Sequence, residues 1–392
     1  MPEAIPGRSP ALLKRAASIA HLERLARRRL PSFVWDYLAG GCADDIGVRA
    51  NTQALDRVTL CPDYLRDCDT VDLGTPLFGK AYRAPFGVAP LGLSGLFWPD
   101  ASRHQARAAK ALGLPFVLST MSTSSIEDTA SVAGDHLWFQ LYAPADAHIR
   151  DDLLARARAA GVSVLVVTVD VPTPGRRPAD IRNGLAVPPR IDLRSLMQTA
   201  LKPRWALAMA RQGLPQFANL QPYLQQGDLK RTAAEIRFAL RKPVDLDTLR
   251  DLRSRWDGAL VVKGVLSVSD ARAAVSAGAD GLIVSNHGGR QSDAAPAPAT
   301  VLPAIAESVG AQCTVMVDGG VRSGTDIARY LALGADAVFS GRAAAYGVSA
   351  LGARGADHAL GLLYDECEQI LTQLRCRTPA DVRRVGVRQD NT

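Results

Sequence analysis

Short runs of β-branched and aliphatic residues recur along the chain: FGVAP at 86–90, PFVLS at 115–119, LWFQLY at 137–142, VLVVTVD at 164–170, LVVKG at 260–264, GLIVS at 281–285, TVMVDGG at 314–320 and AVFSGR at 337–342. They are continuous rather than alternating, which suits strands covered on both faces, as in a parallel sheet. Amphipathic segments lie between them, among them ASRHQARAAKALG, SVSDARAAVSAGAD and RSGTDIARYLALGAD. Several start at Ser or Asp and stop at Gly, the residues that cap helices. Eight strands alternating with helices predict an α/β fold, a (β/α)8 TIM barrel. An open doubly wound sheet is the rival, and the repeated GAD at 278–280 and 334–336, each just before an apolar run, favours the barrel. The expected organisation is a helical extension over 1–84, the barrel over 85–385, and within it a long insertion over 175–250 after the fourth strand. A structureless loop of that length is uncommon, so the insertion is expected to serve a function or to lack order.

Composition narrows the class. With 392 residues, 47% of them hydrophobic and 22% charged, the chain can bury a large core. The formal charge of +7 comes from basic residues spread along the chain, without the aromatic-and-basic stripe of a nucleic-acid reader. That favours an anionic substrate, cofactor or lipid surface over nucleic acid. The six cysteines are far apart and form no CxxC pair, which argues against a zinc site and a disulfide framework, and for a reducing, cytoplasmic compartment. No metal is expected. Neither a signal-peptide core nor an apolar run of membrane-spanning length is present, so no secretion or integral membrane insertion is expected.

Polar residues interrupt the apolar runs at one end only. Gln140 and Tyr142 follow the third run, Thr168 and Asp170 the fourth, Lys263 the fifth, and Ser285, His287 and Arg290 the sixth. Asp318, Gly319, Gly320 and Arg322 follow the seventh, and Gly341 and Arg342 the eighth. Each alone has an ordinary reading, as a solvated charge, a turn cap or a packed aromatic. Together they fall on the face of a barrel where catalytic residues gather. DGGVRSG and SGR offer free backbone amides and paired arginines where barrels hold a phosphate. No GxGxxG occurs, which removes the nicotinamide fingerprint. GTPLFGKA at 74–81 imitates a phosphate-binding loop, but Ala81 stands where a hydroxyl should reach magnesium, and Pro85 obstructs the required helix.

The motifs SNHGGRQ, LVVKG, VDGGVRSGTD, LALGAD, WFQLY and TVDVPTPGRR in combination resemble the FMN-dependent 2-hydroxy-acid oxidase and dehydrogenase family, from about Leu30 to Arg377. The resemblance implies that His287 is the catalytic base, oriented by Asp170. It further implies that Arg290 and Arg177 grip the substrate carboxylate, and that Tyr142 and Tyr37 touch substrate. Around the flavin ring it places Pro90, Leu91, Gly92, Ser119, Gln140 and Thr168, with Lys263 and Ser285 at its polar edge and ribityl chain. Asp318, Gly319, Gly320, Arg322, Gly341 and Arg342 match the ribityl and phosphate site. Lys263 also stabilises the negative charge gained on reduction.

Gly92 is similar to the dehydrogenase branch of lactate and mandelate enzymes, which implies a quinone or other carrier as electron acceptor. An oxygen-using oxidase is the alternative, and a non-redox phosphate-binding barrel a remote one. GLFWPD looks like the mandelate enzymes, and VDVPTPG and WDGALVVKG like the lactate enzymes, so the (S)-2-hydroxy acid stays open between the two. The stretch 189–213, with Arg190, Arg194, Lys202, Arg204 and Arg211 interleaved with Leu, Met, Ala and Trp205, reads as an interfacial helix on an anionic membrane, on the inner face of the cell membrane. A lid over the site is the other reading. A homo-oligomer is expected.

Overall fold

In a computed structural model, which describes residues 9–65, 67–68, 70–185, 192–213, 215–223 and 243–389, each of the eight apolar runs forms a strand. These are β1 (Phe86–Val88), β2 (Phe116–Ser119), β3 (Leu137–Leu141), β4 (Val164–Thr168), β5 (Ala259–Val265), β6 (Gly281–Val284), β7 (Thr314–Asp318) and β8 (Ala337–Ser340). Every neighbouring pair is parallel, and β8 pairs with β1, so the sheet closes into a barrel. Closure excludes the open doubly wound sheet. The GAD repeats have a local cause. Gly278 and Gly334 turn the chain at φ of 92° and 106°. Asp280 then accepts from the Leu260 amide at 2.8 Å, and Asp336 from the Val315 amide at 2.7 Å, each tying its turn to the start of the preceding strand.

One apolar cluster fills the barrel, built on Val117, Trp138, Val166, Val261, Ile283, Met316 and Phe339; a larger one packs the strands against the helices. The segment that imitates a phosphate loop is an antiparallel hairpin, Thr75–Leu77 with Lys80–Tyr82. Its Leu77 and Tyr82 belong to the interior cluster, and Tyr82 Oη accepts from Trp138 Nε1 at 2.9 Å, so the hairpin plugs the N-terminal end of the barrel.

Among the described residues, four helices precede the barrel, including Ser32–Ala39 and Ile46–Asp56. The strand Val58–Cys61 follows them and pairs antiparallel with Gly386–Gln389. The described part of the insertion contains the helices Pro178–Arg182, Leu193–Ala200, Pro203–Gln212 and Leu246–Arg255. Arg190 and the insertion residues 186–191, 214 and 224–242 lie outside the described residues, as do residues 1–8 of the extension. Among the described residues, no helix is long and apolar enough to cross a membrane.

Candidate active site

Side chains alternate between the two faces of a strand, so the barrel interior fixes what its mouth presents. Two residues beyond the inward-facing Val117, Trp138, Val166, Val261, Ile283, Met316 and Phe339 stand Ser119, Gln140, Thr168, Lys263, Ser285, Asp318 and Gly341. Seven strands thus deliver a polar or small residue to one opening. β1 brings Pro90, Leu91 and Gly92 to the same rim, where a Cβ on Gly341 would lie 3.3 Å from Leu91 and one on Gly92 3.1 Å from Met121.

The imidazole sits at the centre. His287 adopts the left-handed region at φ 58°, followed by Gly288 at 64° and Gly289 at 75°. Holding a non-glycine residue there costs about 1 kcal/mol or more, and the turn aims the ring back over the mouth. Asp170 Oδ1 accepts from His287 Nδ1 at 2.9 Å, which selects the tautomer with a free lone pair on Nε2. Tyr142 Oη lies 3.3 Å from that Nε2. Gly264, at φ 106°, leaves the room Asp170 needs, since a Cβ there would fall 2.5 Å from Asp170 Cγ.

Beneath the imidazole runs a buried polar chain. Lys263 Nζ donates to Ser285 Oγ at 2.9 Å and pairs with Asp318 Oδ2 at 3.0 Å. Ser285 Oγ donates to Asp318 Oδ1 at 2.5 Å and accepts from the His287 amide at 3.0 Å. Burial pushes the Lys263 ammonium down, but Asp318 and Asp170 outweigh it and hold it above its ordinary value, so it stays charged. Burial likewise pushes the Asp170 carboxyl up, and His287 and Lys263 overcome this to hold it below the usual range. The Tyr142 hydroxyl is raised, by burial first and then by the nearby Asp170 charge.

Two guanidinium groups share one aromatic ring: Arg290 Cζ is 5.0 Å and Arg177 Cζ 5.2 Å from the Tyr37 centroid. Arg290 donates to the carbonyls of Tyr37 and Gly40, both at 2.8 Å. Arg342 donates to Leu38, Gly40 and Gly288 carbonyls, so both arginines hold the C-terminal end of the helix Ser32–Ala39, with Gly40, over the mouth. Burial first, and then the neighbouring Arg290 and Arg322 charges, push Arg342 down to about 9. The Arg322 side chain turns back to its neighbour's carbonyl, Val321 O, at 2.9 Å and lies over Tyr346 at 5.4 Å. Gly319 and Gly320 are left-handed, and a Cβ on Gly320 would lie 2.6 Å from Asn51 O.

Sequence reasoning missed Asn51, Asn286 and Asp180. The two asparagine amides bond reciprocally at 2.8 and 2.7 Å and tie the helix Ile46–Asp56 to the turn that carries His287. The Asn in SNHGGRQ was the available signal for one of them; nothing local marks its partner 235 positions earlier.

Comparison with known proteins decides what this mouth belongs to. The FMN-dependent dehydrogenase family model matches residues 26–389. The chain belongs to that family. An L-lactate dehydrogenase of Caulobacter vibrioides is 40% identical over 368 residues, 93% of this chain and 96% of the relative. An (S)-mandelate dehydrogenase of Pseudomonas putida is 38% identical over 359 residues, 92% of this chain and 90% of the relative. Among solved structures, the monotopic membrane protein (S)-mandelate dehydrogenase superposes with a TM-score of 0.90 at 37% identity, covering 95% of this chain and 99% of that one. A mandelate oxidase superposes at 0.80, also 37% identical, covering 95% and 99%.

The protein is therefore an FMN-dependent 2-hydroxy-acid dehydrogenase, and its mouth fits the flavin. Among the described residues, Gln140 Nε2 and Thr168 Oγ1 are buried at the opening without a hydrogen-bond partner, as groups that meet a polar ring edge would be. The anion-seeking cluster of Arg290, Arg322 and Arg342 beside Gly319, Gly320 and Gly341 suits a phosphate.

Proposed function

We propose that this dehydrogenase oxidises a small (S)-2-hydroxy monocarboxylic acid of the lactate or mandelate type to the 2-oxo acid, passing the electrons to a quinone or another carrier at a membrane surface. One observation carries the reading. His287 is bonded to Asp170 and lies 3.3 Å from Tyr142 Oη, and that hydroxyl is within electrostatic reach of Tyr37, Arg290 and Arg177, so the base and the carboxylate grip meet on one tyrosine.

When bound, FMN would supply the acceptor for the substrate's α-hydrogen together with its electron pair. The Arg177 and Arg290 guanidinium groups hold the substrate carboxylate in a bidentate manner, which directs its α-carbon and hydroxyl into the mouth. His287 Nε2 takes the hydroxyl proton, and Asp170, ionised and buried, stabilises the imidazolium that results. Tyr142 keeps its proton and donates to the substrate oxygen or to Nε2. Lys263, held charged by Asp318, would steady negative charge developing on the group beside it. Gln140 and Thr168 would hold the cofactor's polar edge, and Arg322, Arg342 and the glycines its phosphate.

The insertion over 175–250 is read as the docking segment. Leu193, Leu196 and Met197, on the helix Leu193–Ala200, and Leu201 at its C-cap are 80%, 54%, 67% and 75% exposed, flanked by exposed Arg194 and Arg204. Apolar side chains between arginines suit the headgroup boundary of an anionic leaflet, and the monotopic mandelate dehydrogenase supports the same role. Trp205 roots this surface in the barrel by donating to Leu96 O at 3.0 Å.

Anaerobic addition of (S)-lactate or (S)-mandelate should bleach the oxidised flavin band. A band that persists across a panel of aliphatic and aromatic 2-hydroxy acids refutes the reading. The mandelate oxidase structures favour a second reading, direct use of oxygen. Hydrogen peroxide formed in step with substrate, with no advantage for a quinone analogue, would establish it instead.

A further inference from the structure

The two arginines beside Tyr37 are held in different ways. Arg290 is tied by two backbone carbonyls, and its own carbonyl packs against Gly175, where a Cβ would approach to 2.4 Å. Gly175 N also donates to Gln291 Oε1 at 2.9 Å, which fixes the two chain segments against each other. Arg177 stands just ahead of the one-and-a-half-turn helix Pro178–Arg182, with its side chain 30% exposed. Its guanidinium has one ion-pair partner among the described residues: Asp180 Oδ2, at 3.1 Å and 10% exposed.

We propose that Asp180 is a positioning residue for substrate recognition: it holds the Arg177 guanidinium against the Tyr37 ring, in the orientation that meets a carboxylate jointly with Arg290. The inference rests on the reading of Arg177 and Arg290 as the carboxylate grip. A flexible arginine at the edge of a loop otherwise spreads over several rotamers and loses that freedom on each binding event; a fixed carboxylate removes the loss beforehand. The surroundings are built to keep Asp180 in place. Asn183, at the far end of the same short helix, donates to Asp36 Oδ2 at 2.7 Å, which pins the helix to Ser32–Ala39, the element that carries Tyr37. Ala43 N donates to Arg176 O at 3.0 Å from the other side. Burying a carboxylate is costly. Asp180 bears that cost, with burial pushing its carboxyl up against the pull of Arg177 and Arg290, at a site where the guanidinium is what it holds.

The test is a double-variant cycle on the FMN-loaded enzyme with (S)-lactate and (S)-mandelate, using Asp180→Asn, Arg177→Met and the pair, with FMN content checked in each. Asp180→Asn should raise KM about tenfold with kcat changed by no more than about threefold, since the loss falls on binding. In the Arg177→Met background the same change should shift KM less than about twofold, and Asp180→Glu should restore part of the single-variant loss. Should Asp180→Asn not accumulate as holoenzyme, Asp180→Ser, which also removes the charge, is taken through the same cycle with the same criterion. A wild-type KM in Asp180→Asn while Arg177→Met raises KM, or full additivity in the pair, overturns the inference and leaves the grip standing. An unchanged KM in Arg177→Met overturns the grip itself, and the inference with it.

Discussion

Replacing Asp170 with Asn probes the centre of the proposed chemistry. The carboxylate accepts from His287 Nδ1 at 2.9 Å, its side chain is 11% exposed, and its second oxygen has no hydrogen-bond partner among the described residues. Its charge matters most once the imidazole has taken the substrate proton, because Asp170 and His287 then carry opposite charges. The loss should therefore fall on kcat and spare KM. Removing one partner of a buried pair costs about 3–5 kcal/mol, which at about 1.4 kcal/mol per decade predicts a fall in kcat of roughly two to four powers of ten. Little solvent reaches the pair to reduce that figure. Anaerobic stopped-flow measurement of flavin bleaching under saturating substrate reads the step directly, and the flavin content of the variant shows that the fold survives.

The same carboxylate makes a pH prediction. It is held below its ordinary value in the folded protein, so the stability it brings is complete above about pH 4 and is lost only as acid titrates it further down. The Tm gap between wild type and Asp170→Asn should thus stay level from about pH 5 to about pH 8 and narrow only below about pH 4. A bleaching rate within tenfold of wild type would remove Asp170 from the mechanism.

Two further outcomes follow from the geometry. Gly264→Ala places a Cβ 2.5 Å from Asp170 at a φ of 106°, so it should destabilise the protein by about 2 kcal/mol or more and slow bleaching as Asp170→Asn does, measured by thermal melting and stopped flow. Leu196→Glu with Met197→Glu removes two exposed apolar side chains from the docking helix; sedimentation with anionic vesicles should fall by about a hundredfold, each buried side chain contributing about 1.5 kcal/mol or more, and undiminished sedimentation would end the docking reading.

How far the sequence shows this site depends on the range of the contacts involved. Strand positions are legible because burial on both faces writes a continuous apolar run, and the mouth is legible because each run breaks into polar residues at the same end. The alternation that takes Trp138 to Gln140 and Val261 to Lys263 is a property of any strand. The hairpin at 75–82 is legible only in the negative: Ala81 and Pro85 rule out the phosphate loop it imitates, and only its packing under Trp138 reveals a plug. The cover over the mouth is hidden for a different reason. Arg290 and Arg342 grip backbone carbonyls of residues 37–40, and a carbonyl is the same in every residue type, so no side-chain pattern announces it. Asn51 and Asp180 are similarly silent: one is an ordinary polar residue on a helix, the other looks like a first-turn acid at a helix start.

The strand Val58–Cys61, which follows the helix bearing Asn51, finds its partner in Gly386–Gln389. The pairing joins a segment that precedes the first barrel strand to one that follows the eighth, so the two flanks of the barrel are clasped to each other.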